Sequence, residues 1–247
     1  MTLETPMDRR PRLLLVHGSV VNAEVTWSAQ KPLAERFELV APSRPGFPPG
    51  PEVERVDFEH DAAWLERFLE PGTHLVGHSY GGVVALLVAA QAPRDVRSLT
   101  VVEPPAFGVA RGRSAVDGVV AEGDLLWRDG PTDPEAFLRL FMAWVGAPVP
   151  PGRLSPALLQ GARALRAERV PWEARIPLEA LAAAPFPILA VSGGHSEAFE
   201  AVCDVLAERC GAERAVLRGA GHSVQRLGEP FNELLAAFVE QNELPVR

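Results

Sequence analysis

The sequence predicts an α/β fold: a mostly parallel central sheet with helices packed on both faces. Three observations carry this reading. Short, continuous apolar runs recur along the 247 residues, as expected of strands buried on both faces. Segments with helical spacing alternate with them. One junction is diagnostic: Thr73-His74-Leu75-Val76-Gly77-His78-Ser79-Tyr80-Gly81-Gly82 leads from an apolar run into the small, apolar stretch 83–90. Gly-x-Ser-x-Gly in that setting is a strand turning sharply into a helix, with glycines two before and two after Ser79 leaving room for close strand–helix packing. Such a turn holds the serine hydroxyl out at the top of a sheet. The Tyr80 N–H is then free at a helix N-terminus to bind an oxyanion.

The elements follow in order. Residues 1–11 are polar, hold two prolines and read as an irregular lead-in. Residues 12–16, RLLLV, form the first strand and run into His17-Gly18-Ser19-Val20. His17 reads as a structural residue that hydrogen-bonds loop backbone. Helical spacing over 27–36 precedes a strand at 37–42. In the stiff loop 43–51, Arg44 reads as solvated or paired with backbone. Residues 58–69 form an amphipathic helix with Ala62, Leu65, Phe68 and Leu69 inward, capped by Asp57. Pro93 stops the helix after Ser79, and 96–102 is the next strand. Glu103-Pro104-Pro105 ends it, because proline cannot continue a ladder. Between 106 and 185 the alternation breaks: helical pieces at 114–126, 134–144, 155–168 and 178–184 have Pro/Gly-rich joints between them and no strand. The sheet resumes at 187–191, followed by a helix at 199–210, a strand at 214–217, the loop 219–223 and a helix at 231–240.

Composition excludes several function classes. The net charge of −8 argues against nucleic acid or an anionic membrane as partner. No run of eighteen apolar residues occurs, so no transmembrane helix is expected. The N-terminus lacks the apolar stretch of a secretory signal. Cys203 and Cys210 lie two helical turns, about 10 Å, apart, too far for a disulfide. A reduced, cytoplasmic protein is expected, as monomer or homodimer, with a small-molecule substrate.

His17-Gly18 after an apolar strand, the Ser79 turn, and Gly221-His222 near the C-terminus appear in an order that resembles the α/β-hydrolases, over nearly the whole chain. The resemblance implies a hydrolase core over 1–105 and 186–247, with a helical cap over 106–185 inserted after the strand ending near Val102. The chain has too few residues before position 12 for the family's two leading strands, so the sheet is expected to be trimmed at one edge. The resemblance implies Ser79 as nucleophile, His222 as its base, and a second oxyanion donor at the Ser19 N–H, with Val20 the less favoured choice. His78, inside the turn, is expected to point away from the pocket. The acid has two candidates. Glu103 ends the strand after the Ser79 helix, where certain haloalkane dehalogenases carry theirs and where ligand-facing residues lie in such sheets. Glu197 sits three past Gly194, near the family's usual aspartate position, which here falls on Ser196. Glu103 is favoured, because an acid in a helix's first turn already has a use there. Phe141 and Trp144 of the cap, with Val20, are expected to contact substrate. The implied chemistry is hydrolysis of a carboxylic ester, lactone or thioester of a small, largely apolar substrate through an acyl-enzyme, with no cofactor and no metal. The same triad would also serve a lyase or a C–C bond hydrolase, and a non-catalytic binding member of the fold is the remaining alternative.

Overall fold

The computed structural model describes residues 10–149 and 151–243, so the expected lead-in lies almost wholly outside the described residues. Six strands form one sheet: β1 (Arg12–Val16), β2 (Glu38–Val40), β3 (Thr73–His78), β4 (Val96–Val102), β5 (Ile188–Ser192) and β6 (Glu213–Val216). Their order is β2-β1-β3-β4-β5-β6 and every pair is parallel. No antiparallel strand flanks them among the described residues. The expected strand at 37–42 shortens to Glu38–Val40 and that at 214–217 shifts to Glu213–Val216; both are edge strands, β2 half-buried and β6 exposed at both ends.

The helices are α1 (Ala23–Thr26), α2 (Phe58–Leu65), α3 (Tyr80–Gln91), α4 (Ser114–Asp129), α5 (Pro134–Trp144), α6 (Pro156–Arg166), α7 (Leu178–Ala182), α8 (Glu197–Cys210) and α9 (Glu229–Glu243). Alternation along the strands divides the core between two faces, since successive side chains of a strand point to opposite sides. Leu14, Val16 and Leu75 face a layer that includes α2, α3 and α8. Leu13, Leu15 and Val76 face α9, Trp27 and Phe37. Helix α3 is apolar all round, and ten of its twelve residues are buried, as an interior helix requires.

Two helical expectations change. The segment 27–36 is not one α-helix: Asn22 caps the four-residue α1, and a 3-10 helix follows over Ser28–Glu35. Pro32 lies inside it, and its missing N–H and ring oppose α-helical continuation. The helix from 58 leaves α geometry at Leu65 and ends in a 3-10 turn over Glu66–Phe68. Asp57 caps it, accepting from the Glu59 and His60 N–H groups.

The stretch 106–185 does not pack as one separate layer. Phe107, Val116 and Val120 near its start, and Trp172 and Leu181 near its end, join the main core. Only α5, α6 and the turn before α6 hold a cluster of their own, around Phe137, Leu138, Leu154, Ala162 and Leu165. The chain leaving α6 is tied to the body by backbone pairing, with Val56 N–H donating to Ala167 O (3.2 Å) and Arg169 N–H to Val56 O (2.9 Å). Cys203 and Cys210 are both free thiols on α8. No helix among the described residues is long and apolar enough to cross a membrane.

Candidate active site

Ser79 sits between β3 and α3 at φ 53°, ψ −126°, a backbone conformation that costs a non-glycine residue about 1–3 kcal/mol. The flanking glycines make the turn possible. A Cβ on Gly77 would meet Gly81 O at 2.4 Å, and one on Gly81 would meet Val16 O and His17 O at 2.4 Å. Strand, helix and the neighbouring loop therefore touch through backbone, and the Ser79 side chain is the first free to project from the turn.

His222 arrives on the loop after β6. That loop lies against the one after β5: a Cβ on Gly193 would meet Gly221 O at 2.0 Å. His222 Nε2 lies 2.9 Å from Ser79 Oγ. Burial, with His195 adding to it, lowers the His222 pKa to about 3, so the ring is a neutral acceptor at neutral pH. His78 differs from expectation. Instead of pointing away, it lines the cavity beside Ser79 and holds His222 O with its Nε2–H at 3.0 Å. Burial keeps it neutral, lowering its pKa to about 3.

Glu103 is fully buried and held at φ 49° at the end of β4. Its Oε1 accepts the Gly193 N–H at 2.6 Å, and its Oε2 lies 3.4 Å from His222 Nδ1. Burial raises its pKa to about 7. Glu197 is exposed in the first turn of α8, where it faces the helix dipole's positive end. The structure thus brings Ser79, His222 and Glu103 together and leaves Glu197 outside. A third imidazole also reaches the group: His195 Nδ1 lies 3.7 Å from Glu103 Oε2. The donor atoms of Glu103, His195 and His222 lie within 4.8 Å of one another, a set able to hold a metal ion. Sequence reasoning passed over His195. Its signal was position, because Gly193-Gly194-His195 follows β5 at a strand C-terminus.

Opposite the imidazole lies the loop after β1. The Val21 N–H returns to Ser19 O (2.9 Å) around Val20 at φ 75°, a strained three-residue turn. It leaves the Ser19 N–H, like the Tyr80 N–H, without a partner among the described residues. A buried network fixes this loop. The Arg44 guanidinium donates to His17 O (2.9 Å) and Gly18 O (3.0 Å), pairs with Asp61 and Glu168, and packs against the Phe47 and Tyr80 rings. Ser19 Oγ donates to Glu168 Oε2 at 2.5 Å. Of the two readings of Arg44, solvated or paired with backbone, the structure shows the second: it donates to backbone carbonyls and is wholly buried. His17 bonds loop backbone through both ring nitrogens, with Nδ1–H donating to Gly18 O and Nε2 accepting from the Arg44 N–H. Glu168 was not foreseen; nothing marks it within the charged run Arg166-Ala167-Glu168-Arg169.

A cavity of about 660 Å³ opens beside Ser79 and His222, lined among others by Val20, Val25, Phe141, Met142 and Leu158. Among the described residues, Arg226 is the one arginine, lysine or carboxylate residue in its lining. Trp144 lines a smaller recess that also includes Ser79, Tyr80 and His222. The Trp127, Trp144 and Trp172 rings pack edge-on there, with centroids 5.6–6.1 Å apart.

Comparison with known proteins agrees with this architecture. The chain is 30% identical over 171 residues to pimeloyl-[acyl-carrier protein] methyl ester esterase of Methylococcus capsulatus, a match covering 67% of this chain and 63% of that one. It is 31% identical over 114 residues, 44% of its length, to the dihydrolipoyllysine-residue acetyltransferase component of the acetoin cleaving system of Cupriavidus necator, and spans only 30% of that relative. The structure of MenH from S. aureus superposes with a TM-score of 0.70 over 98% of each chain at 17% identity, a likeness of fold. The profile of the alpha/beta hydrolase family matches residues 13–236. The chain belongs to the alpha/beta hydrolase family.

Proposed function

We propose that the protein is a serine hydrolase that cleaves a carboxylic ester, or a lactone or thioester, through an acyl-enzyme. The observation that carries this reading is the 2.9 Å approach of Ser79 Oγ to a neutral, buried His222 Nε2. Ser79 Oγ attacks the acyl carbonyl as His222 Nε2 takes its proton. Glu103 fixes the Nδ1–H tautomer and offsets the charge that forms on the ring. The Tyr80 and Ser19 N–H groups bind the oxyanion, where developing charge meets donors already in place. The C–O bond then breaks, His222 returns the proton to the leaving alcohol, and water activated by the same imidazole releases the acid. The mostly apolar cavity lined by Val20 and Phe141, with Trp144 in the smaller recess that also reaches Ser79, suits a small, largely apolar substrate. Esterase and lipase names among the relatives support ester chemistry. A cytoplasmic location belongs to the same reading, supported by two unpaired cysteines.

A panel of p-nitrophenyl esters of increasing chain length tests this reading. Turnover that falls at least ~1,000-fold in Ser79→Ala is expected. Undiminished turnover in Ser79→Ala, or cleavage of cyanohydrins or C–C bonds with no ester turned over, would overturn it.

A further inference from the structure

We infer that Glu103, His195 and His222 form an inhibitory Zn2+ site, in which the ion occupies the triad's acid–base pair and switches the serine off. The proposal rests on the triad reading above for its inhibitory consequence, though not for the binding itself.

The donor geometry comes first. Tetrahedral zinc with nitrogen and oxygen ligands at 2.0–2.2 Å needs neighbouring donors about 3.3–3.5 Å apart. Glu103 Oε2 lies 3.4 Å from His222 Nδ1 and 3.7 Å from His195 Nδ1. The three donor atoms all fall within 4.8 Å of one another, so small side-chain movements suffice. Two imidazoles and one carboxylate, with the fourth position open, are a donor set that zinc takes in proteins.

Hydrogen bonding gives the second argument. His195 Nε2 lies 3.2 Å from Val145 O. A carbonyl only accepts, so Nε2 carries a proton. With Nε2 so engaged, Nδ1 is the ring atom turned toward Glu103 Oε2, on the side where His222 Nδ1 also lies. The outer contacts are those of a metal site, where each ligand's far side is held by a second partner. His195 is anchored to Val145 O, and Glu103 Oε1 accepts the Gly193 N–H. Gly146 leaves room for the ring, since a Cβ there would meet His195 Cδ2 at 2.8 Å. Entry is from the His195 side, whose side chain is 19% exposed while Glu103 is closed off.

The consequence is a tautomer change. Zinc on His222 Nδ1 displaces that proton, which moves to Nε2, so no proton is lost overall. Nε2–H then donates to Ser79 Oγ and can no longer accept from it. The hydroxyl keeps its proton, and the nucleophile is silent until a chelator removes the ion.

The test titrates ZnCl2 into the full chain by calorimetry and measures fluorophosphonate labelling of Ser79 with and without Zn2+ and EDTA. One site per chain is expected in the wild type, with affinity weakened more than ~100-fold in both His195→Phe and His195→Gln. His195→Gln can still donate to Val145 O, so its loss of binding separates ligation from packing. Saturating Zn2+ should slow labelling of the wild type at least ~10-fold, with EDTA restoring it. A wild type that labels but binds no zinc would overturn the site while leaving the hydrolase reading intact. Equal binding by both variants, or bound zinc with unchanged labelling, would also overturn it. A zinc-free wild type that never labels would instead sink the hydrolase reading, and His195-dependent binding would remain as a separate result.

Discussion

Replacing Arg44 with alanine should destabilise the protein by about 3–5 kcal/mol, the usual cost of removing one partner from a buried ion pair. The structure indicates the upper part of that range. The guanidinium is wholly buried, and its loss takes a donor from four acceptors, His17 O, Gly18 O, Asp61 and Glu168, of which Gly18 O keeps the His17 ring N–H and Glu168 the Ser19 hydroxyl. It also empties the space between the Phe47 and Tyr80 rings, which lie 4.8 and 4.6 Å from the guanidinium carbon. At roughly 2–4 °C per kcal/mol for a chain of this size, calorimetry at pH 8 should show a fall of about 6–20 °C. The deficit should depend on pH in a defined direction. Burial already raises the pKa of Asp61, and that of Glu168 to about 7. Without Arg44 both rise further, so the folded variant holds protons that its unfolded chain releases. The stability linked to those protons is present below the ordinary carboxylate range and lost as pH rises through the folded values. The gap between wild type and variant should therefore be narrower at pH 5 than at pH 8. Arg44→Lys keeps the charge but loses the planar fork, and should fall between them. A melting temperature for Arg44→Ala within 2 °C of wild type at pH 8 would refute the reasoning.

Three further outcomes follow from the same coordinates. Glu103→Gln should lower kcat/KM about 1,000-fold or more yet raise the melting temperature at pH 8. Burial lifts the pKa of this acid from 4.5 to about 7, worth up to ~3 kcal/mol, and because the folded value is raised, stability is lost as pH climbs through it; the advantage of Gln should shrink toward pH 5, and an advantage growing toward acid would contradict the sign. Ser79→Gly should melt above Ser79→Ala by roughly 2–4 °C, because glycine relieves the strain at φ 53°; equal melting temperatures would mean that the turn is unstrained. Gly161→Ala should reduce kcat/KM at least ~10-fold and lower the melting temperature, because helix α6 and the Val20 backbone must move apart. Its Cβ would meet Val20 O at 1.8 Å, and a shift of about 1 Å near the proposed oxyanion donors is costly; unchanged kinetics would detach α6 from the chemistry.

Much of this architecture is legible in the chain, because β1 and β5 are almost continuous apolar runs and Gly77 and Gly81 mark one sharp turn. The edges are less legible: β2 and β6 are three and four residues long, and edge strands need not be apolar. Of the polar residues around Ser79, His222 and Glu103 stand at loop positions that chain order alone suggests. Arg44, Asp61 and Glu168 do not, because their roles arise from burial and from partners distant in sequence, while His195 is marked only by its place in the loop after β5. Glu168 lies 149 residues from the Ser19 hydroxyl that it accepts from. In sequence it is one charge among several after α6, and no local pattern separates it from an exposed one. Strain is likewise invisible, since nothing in His17-Gly18-Ser19-Val20 marks a β-branched residue at φ 75°.

The central claim is that Ser79 is an activated nucleophile. Intact-mass measurement after incubation with a fluorophosphonate, on the wild type and Ser79→Ala, tests it most directly. One stoichiometric adduct is expected on the wild type, on the peptide containing Ser79, and none on Ser79→Ala. A folded wild type that stays unmodified, or an adduct that survives in Ser79→Ala, would contradict it.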